Sequence, residues 1–191
     1  MKELLSLVDK KMFVCNPIAV AELMTSTDNY WYCPFAYGYS NYSRKGYAKF
    51  LLIYTDLVLF ETGTHLKSTI GGTGLAVSSL TNNKEWAIQF VSWVASPEIQ
   101  SNLYVQHGGQ PGHRSAWVSE DVNRSSNNYF INTLDTMDRA YLRPRYNGYL
   151  YFQDHAGIPL QKYLLQGGRP NKVLEEMNKL YRNSKLIAKT I

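Results

Sequence analysis

The hydrophobic pattern between residues 82 and 108 predicts two consecutive helices. Asn82, followed three residues later by Glu85, is typical of a capping box, so we expect a helix to begin there. One face of this helix then carries four apolar residues; it is wide enough to bury and therefore needs a covering partner. These residues are Trp86, Phe90, Trp93 and Val94. Ser96 and Pro97 end this helix and start the next, which ends at Gly108.

Helical spacing recurs towards both ends of the chain. Asn16 and Pro17 supply a cap and a first helical residue, and Pro170 opens the last helix after a turn at Gly167 and Gly168. The helices predicted in this way cover residues 3–8, 17–24, 130–141, 149–166 and 170–181, with a short helix or polar loop over 119–128.

Three stretches have the composition of β-strands: residues 30–33, 49–60 and 75–77, the last as a short buried strand. Between the first two lies a segment in which aromatic residues alternate with glycine, serine and asparagine, which favours an ordered loop over a strand. We call residues 35–44 the tyrosine loop, residues 71–74 the first glycine turn and residues 108–114 the second glycine turn.

Composition sets limits on the kind of protein. The chain has 191 residues, 45% of them hydrophobic, and no apolar run long enough to span a membrane. The net charge of +5 is scattered along the chain and forms no continuous basic stripe, so nucleic acid is not a favoured partner. Aromatic residues reach 14% and include 15 tyrosines, a composition that often marks a binding surface.

The residue types needed for catalysis do not occur in recognisable patterns. The four histidines lack the spacing of metal ligands, so we expect neither a metal nor a cofactor. The carboxylates form no clear acid and base pair, and the first glycine turn lacks the lysine of a phosphate-binding loop. Cys15 and Cys33 could be paired or free. These observations favour recognition without reaction, through the aromatic rings of the tyrosine loop and the polar groups of the two glycine turns.

Several runs resemble a known family. They are GGTGLAVSS (residues 71–79), NKEWAIQFVSWVASPEIQSNLYVQHGGQP (residues 83–111) and LLQGGRPNKVLEEMNKLY (residues 164–181). Together they are similar to the C-terminal half of family 1 extracellular solute-binding proteins, the maltose-binding-like receptors of ABC importers. CPFAYGYSNYSR (residues 33–44) is similar to a ligand-side loop in some members.

The resemblance implies an α/β fold of the type II periplasmic-binding class, with a C-lobe and an incomplete N-lobe, that binds a solute, most simply a sugar, without catalysis. It assigns residues 1–66 and 119–191 to the C-lobe and residues 67–118 to the N-lobe. Family members carry a signal peptide and a βαβ lobe that the sequence does not show, so we expect a fragment that self-associates through uncovered faces. The intact family is periplasmic or on the cell surface and partners a permease; the chain as written would be cytoplasmic.

The same resemblance, together with composition, predicts the residues that contact the solute. The expected stacking groups are Trp31, Tyr37, Tyr39 and Tyr42, the backbone donors Gly72, Thr73 and Gly74, the polar clamps Gln110, His113 and Arg114, and the hinge-side residues Arg145 and Tyr146. Two alternatives stay open. A carbohydrate-acting enzyme would need a carboxylate pair among Asp28, Asp56 and Glu61 beside the tyrosine loop, and a protein interaction module would use the exposed aromatic rings.

Overall fold

The structure is a computed structural model in which residues 2–187 are described. Most regular structure in this range is helical, and irregular segments join the helices. In chain order the α-helices are α1 (Lys2–Leu5), α2 (Pro17–Ser26), α3 (Lys84–Val94), α4 (Pro97–Ser101), α5 (Leu103–Gln106), α6 (Arg114–Val118), α7 (Glu120–Ser125), α8 (Tyr129–Asp138), α9 (Tyr149–Gln166) and α10 (Pro170–Ile187). Short 3-10 helices cover Lys10–Val14 and Ser40–Ser43.

The predicted α/β fold of the type II periplasmic-binding class is wrong. Within residues 2–187 no strands pair into a sheet, and β pairing is limited to two isolated bridges, Leu59 with His65 and Thr69 with Tyr141. The segments 30–33 and 49–60 do have strand-like composition. A sheet nevertheless requires a neighbouring strand that accepts the backbone hydrogen bonds, and these segments meet none in the described part of the chain.

The expectation of a buried strand over residues 75–77 is also wrong. The backbone there is irregular, the side chain of Leu75 is 59% exposed, and Val77 is half-buried. The first glycine turn therefore leads into an open irregular segment that continues to the start of α3.

Helix boundaries follow the sequence more closely. Ser96 caps α4, its hydroxyl oxygen accepting a hydrogen bond from the N–H of Ile99 at 3.4 Å, and Pro97 is the first helical residue, as predicted. The bounds of α9 and the start of α10 are also confirmed. The capping box at Asn82 is wrong by one residue, because α3 begins at Lys84 with Asn83 at the cap position and no side-chain cap bond.

The aromatic face of α3, which needs a covering partner, is exposed in the described chain. Trp86 is 74% exposed, Phe90 59% and Trp93 49%, and no residue within Lys84–Val94 is buried. Helical periodicity shows that residues share a face, but it does not show that another element covers that face.

The chain divides into two units, and the three-segment division predicted from the resemblance stays a prediction. Residues 2–16 and 143–187 form what we call the terminal unit, in which α9 and α10 pair as a helical hairpin. The rings of Phe152 and Tyr181 meet edge to face at 5.5 Å. Gln161 Nε2 donates to the carbonyl of Phe13 at 2.8 Å and so attaches the N-terminal segment to α9.

Residues 17–142 form the central unit, whose core lies where α6, α7 and α8 meet. Phe130 is fully buried, and its ring lies 5.2 Å from that of Trp117 and 5.0 Å from that of Tyr129, both edge to face. The buried amide of Asn123 joins the three helices, since its Nδ2 donates to the carbonyl of Trp117 at 2.8 Å and its Oδ1 accepts from the N–H of Ile131 at 2.9 Å. Aromatic packing and one satisfied amide thus organise this unit.

Asp56 fixes the irregular segment 56–66 to α8. Its carboxylate accepts hydrogen bonds from the guanidinium of Arg139 and the hydroxyl of Thr136, and lies 3.3 Å from Nδ1 of His65. Burial acts to raise the pKa of this carboxyl group, but the hydrogen bonds and the charge of Arg139 outweigh it and hold the pKa at about 2.

The lowered pKa of Asp56 predicts a pH-dependent contribution to stability. The ionised form is favoured in the folded chain, so the contribution, about 2 kcal/mol, is fully present above the ordinary pKa of 3.8 and is lost as the pH falls towards 2. Urea unfolding of wild type and Asp56→Asn should differ by this amount at neutral pH and converge in acid. Asp28→Asn, at an exposed position, should follow wild type; an equal effect of both substitutions would contradict the assignment.

Two further observations concern the described chain. None of the helices in residues 2–187 is long and apolar enough to cross a bilayer. Cys15 and Cys33 are both free thiols.

Candidate functional site

Gln110 ties the tyrosine loop to the second glycine turn. Its Oε1 accepts a hydrogen bond from the N–H of Ser40 at 3.0 Å, and its Nε2 donates to the carbonyl of Gly38 at 3.2 Å. The same Nε2 lies 3.4 Å from the hydroxyl of Tyr129 in the core. One side-chain amide therefore holds the loop, the turn and the core of the central unit together.

Arg44 makes a second connection between the same two segments. Its guanidinium group donates to the carbonyl of Val105 and, at 2.7 Å, to the carbonyl of Gly109. Burial lowers the pKa of Arg44, but arginine stays charged in proteins because its ordinary pKa is so high. The planar fork of donors reaches both carbonyls at once, which a single lysine ammonium cannot do.

Close packing explains why Gly109 is a glycine. A Cβ atom at this position would lie 2.5 Å from the ring of Tyr104 and 2.7 Å from its carbonyl oxygen. The N–H of Gly109 donates to that same carbonyl at 2.8 Å. The second glycine turn is therefore shaped by a backbone approach that any larger residue would prevent.

A cleft of about 830 Å³ opens beside these contacts. Its walls come from the end of the tyrosine loop and the residues that follow, from α5 with its flanking residues, and from α7. The lining residues are Asn41, Arg44, Lys45, Gly46, Tyr47, Ser101, Asn102, Val105, Gln106, His107, Gly108, Asp121, Val122 and Ser125. The cleft lies wholly within the central unit.

The lining combines polar and apolar surface in nearly equal parts and carries both charges. Side-chain amides of asparagine and glutamine, serine hydroxyls, the cations Arg44 and Lys45 and the carboxylate of Asp121 all border the cleft. Asp121 also pairs with Arg124 at 3.2 Å. This set offers many hydrogen-bond donors and acceptors and matches a hydroxyl-rich ligand better than an apolar one.

One aromatic ring is available at the cleft. Tyr47 is 52% exposed, and its ring meets that of Tyr42 edge to face at 5.3 Å. Tyr42 is buried, and its hydroxyl donates to the carboxylate of Glu22 at 2.9 Å. Burial, followed by this hydrogen bond, raises the pKa of Tyr42 above its ordinary value, so the phenol stays neutral. Tyr42 thus supports the ring of Tyr47, and its predicted contact with a solute stays a prediction.

The aromatic residues predicted to stack on the solute are dispersed. Trp31, Tyr37 and Tyr39 are exposed, at 80%, 51% and 39%, but they do not line the cleft. Tyr42 is in the wall behind it. Whether a solute contacts the exposed rings stays a prediction.

The first glycine turn is not brought to the cleft lining. Gly72, Thr73 and Gly74 are exposed, and a Cβ added at either glycine would meet nothing within 4 Å. Arg145 and Tyr146 belong to the terminal unit, where the hydroxyl of Tyr146 lies 2.9 Å from that of Ser184. The first glycine turn is therefore not part of the cleft lining, and the predicted solute contacts of Arg145 and Tyr146 stay predictions.

The polar clamps have structural partners of their own. His113 caps α6, since its Nδ1 accepts a hydrogen bond from the N–H of Ser115 at 3.2 Å. Arg114 forms an exposed, two-point ion pair with Asp138, with Nη2 and Oδ2 2.8 Å apart. The charge of Asp138 raises the pKa of Arg114, and Arg114 in turn lowers that of Asp138. Gln110 alone of this group joins the loop to the turn.

Several cleft residues are absent from the sequence prediction. Tyr47 follows the tyrosine loop by three residues, so the same aromatic spacing extended slightly further would have included it. Asn102, between α4 and α5, and Asp121, in α7, lie far along the chain from the tyrosine loop, and no local signal marks them.

The described residues do not bring together a group suited to metal binding, since no three histidine, cysteine, aspartate or glutamate side chains cluster within them. The carboxylate of Asp56 faces an arginine, a threonine and a histidine. It therefore serves the attachment of segment 56–66 described above.

No protein-family model, curated protein or solved structure matches this chain.

Proposed function

We propose that this chain is a recognition protein that binds a hydroxyl-rich solute, a saccharide, in the cleft of the central unit and catalyses no reaction. The observation that carries the proposal is the fixed junction of the tyrosine loop and the second glycine turn. Gln110 bonds to Ser40, 70 residues away in sequence. Arg44 bonds to carbonyl groups 61 and 65 residues away. A preformed polar cleft at such a junction is a typical place for a small ligand.

The chemistry of the lining supports a sugar over other small molecules. Amide side chains can donate and accept hydrogen bonds in one plane, as sugar hydroxyls require, and the exposed ring of Tyr47 can stack on the apolar face of a pyranose. The volume of about 830 Å³ lies within the usual range of ligand sites, about 300–1,000 Å³.

This proposal differs from the mechanism implied by the sequence resemblance. The cleft is built within one unit, so ligand binding here does not depend on the closure of two lobes. A role as the solute receptor of an ABC importer, delivering the ligand to a permease, stays a proposal that rests on the motifs at residues 71–79, 83–111 and 164–181.

Replacing Tyr47 by alanine should weaken sugar binding by about tenfold, because the variant loses a stacking surface and keeps the polar lining. Isothermal titration against a panel of mono- and oligosaccharides would measure this change. Tyr141→Ala is the matched control, since Tyr141 is similarly exposed, at 54%, and lies outside the cleft. Its affinity should equal that of wild type.

Two results would contradict the proposal. Absence of binding to every sugar in the panel would rule out a saccharide as the ligand. Loss of affinity in Tyr37→Ala with none in Tyr47→Ala would move the ligand to the outer tyrosine loop and away from the cleft.

A second candidate function, a protein interaction module, is favoured by a separate observation. The chain exposes 14,076 Å² of surface, whereas a typical monomer of 21.9 kDa exposes about 9,300 Å². Trp31, at 80% exposed, is one of many large apolar side chains that contribute to this area. Such a surface is typical of a protein that is covered by a partner.

A further inference from the structure

The aromatic residues of α3 form a continuous stripe beside the face that packs inward. With 100° of rotation per residue, Trp86, Phe90 and Trp93 fall within about 60° of one another. Ala87, Val91 and Val94 fall on the adjacent face and are half-buried. We call Trp86, Phe90 and Trp93 the α3 stripe. The half-buried residues of α3 thus lie on this adjacent face, and the stripe is left exposed.

The exposed area of the α3 stripe is large. A tryptophan or phenylalanine side chain can bury about 150–250 Å², so at exposures of 74%, 59% and 49% the three rings offer on the order of 300–450 Å². Two copies facing each other would bury on the order of 600–900 Å² from rings alone, against about 1,200 Å² at the lower end of stable interfaces. Gln89, which is exposed and lies about 40° from the edge of the stripe, adds to this area.

The order of residues in the stripe suits a second copy of the same helix. An antiparallel pair with its two-fold axis between residues 89 and 90 places Trp86 of each copy against Trp93 of the other, with the two Phe90 rings side by side. A two-fold interface requires such self-complementarity, and here the tryptophans at the two ends of the stripe provide it. The antiparallel arrangement also opposes the helix dipoles.

The charge of α3 argues against a lipid surface as the occupant. Helices that lie on membranes carry lysine and arginine along the polar face, which bind anionic headgroups. Within Lys84–Val94 there is one cation, Lys84, and one anion, Glu85. The helix is also short, at 11 residues.

We propose that the α3 stripe is the contact surface of a homodimer, formed by antiparallel pairing of α3 with α3 of a second copy. The stripe is distinct from the cleft, so dimer formation and solute binding are separate properties. The stripe would then account for part of the surface in excess of a typical monomer.

Sedimentation equilibrium over the micromolar range tests the dimer. Wild type should move from 21.9 kDa towards twice that mass as the concentration rises. Trp86→Glu combined with Phe90→Glu should raise the dissociation constant at least tenfold, since both positions place a charge in the interface. Ile88→Glu is the matched control: Ile88 is 55% exposed on the opposite side of the same helix, and its substitution should leave the dimer intact.

Cross-linking gives an independent test that does not depend on destabilising variants. In a chain with Cys15 and Cys33 replaced by serine, Gln89→Cys should form a covalent dimer on mild oxidation, whereas Ile88→Cys should not. A monomer at all concentrations, or a dimer insensitive to the stripe substitutions, would overturn the proposal. Binding to phospholipid vesicles that is lost in Trp86→Glu, without dimer formation, would also overturn it and assign the stripe to a lipid surface.

Discussion

Replacing Arg44 by alanine should lower the free energy of unfolding by about 3 kcal/mol and reduce sugar binding at least tenfold. The substitution leaves the carbonyls of Val105 and Gly109 without their charged donor; both hydrogen bonds are partly buried, and each unsatisfied acceptor costs about 1–3 kcal/mol. The loss also removes one of the two connections between the tyrosine loop and the second glycine turn and leaves only Gln110, so the cleft wall is less firmly preformed.

Two further arginine variants make this result specific. Arg44→Lys keeps a positive charge but loses the fork that reaches both carbonyls, so its stability should lie between those of wild type and Arg44→Ala. Arg124→Ala removes an exposed arginine that pairs with Asp121, and it should change stability by less than about 0.5 kcal/mol. Urea unfolding and titration with the sugar ligand measure the two effects. Equal stability of Arg44→Ala and Arg124→Ala would contradict the role given to Arg44.

Phe130→Ala should be the most destabilising single substitution proposed for the central unit, by about 3–5 kcal/mol. Phe130 is fully buried between the rings of Trp117 and Tyr129, so alanine leaves a cavity and removes two edge-to-face contacts. Urea unfolding monitored by tryptophan fluorescence would report the change directly, since Trp117 is in contact with the cavity.

The size of the side chain should determine this effect. Phe130→Leu keeps most of the apolar volume and should cost less than Phe130→Ala. Phe60→Ala, at a side chain that is 55% exposed, should be nearly neutral. A similar loss at positions 60 and 130 would mean that the core does not lie where α6, α7 and α8 meet.

The helices that the sequence predicts well are those with local signals at their ends. Ser96 with Pro97 and Gly167 with Pro170 act through their own backbone geometry, which needs no distant partner. These signals place the start of α4, both ends of α9 and the start of α10 correctly, whereas the single helix predicted from Pro97 to Gly108 is interrupted at Asn102.

Strand formation and burial depend on residues that are distant in sequence. The sequence predicts strands over residues 30–33 and 49–60 and a buried strand over residues 75–77, and the described chain has no sheet at any of them. The composition of residues 49–60 favours an extended backbone, yet the described chain offers no ladder beyond the bridge of Leu59 with His65. The apolar face of α3 is wide enough to bury, and its aromatic rings are nevertheless exposed. A one-dimensional pattern shows what could pair or pack, and the partner decides whether it does.

The candidate site shows the same limit. Residue types in the tyrosine loop and the second glycine turn indicated two segments suited to recognition, and Gln110 does join them. The cleft itself depends on contacts between residues some 60 to 70 positions apart, including Arg44 with Val105. Local composition does not show which distant residues contact each other. Lys45, Asn102 and Asp121 therefore could not be predicted as lining residues of the cleft.

The hydrogen bond from Gln161 to Phe13 has a consequence for the order of folding. It joins residues on either side of the whole central unit, which is therefore an insertion within the terminal unit. During synthesis the N-terminal segment emerges first, but its partner α9 is made only after residue 142. The hairpin of α9 and α10 contains local contacts and can form quickly, whereas docking of residues 2–16 must bring together distant parts of the chain. We therefore expect residues 2–16 to dock last. Faster folding of the central unit should speed this docking, because a folded central unit shortens the flexible loop between residues 16 and 143.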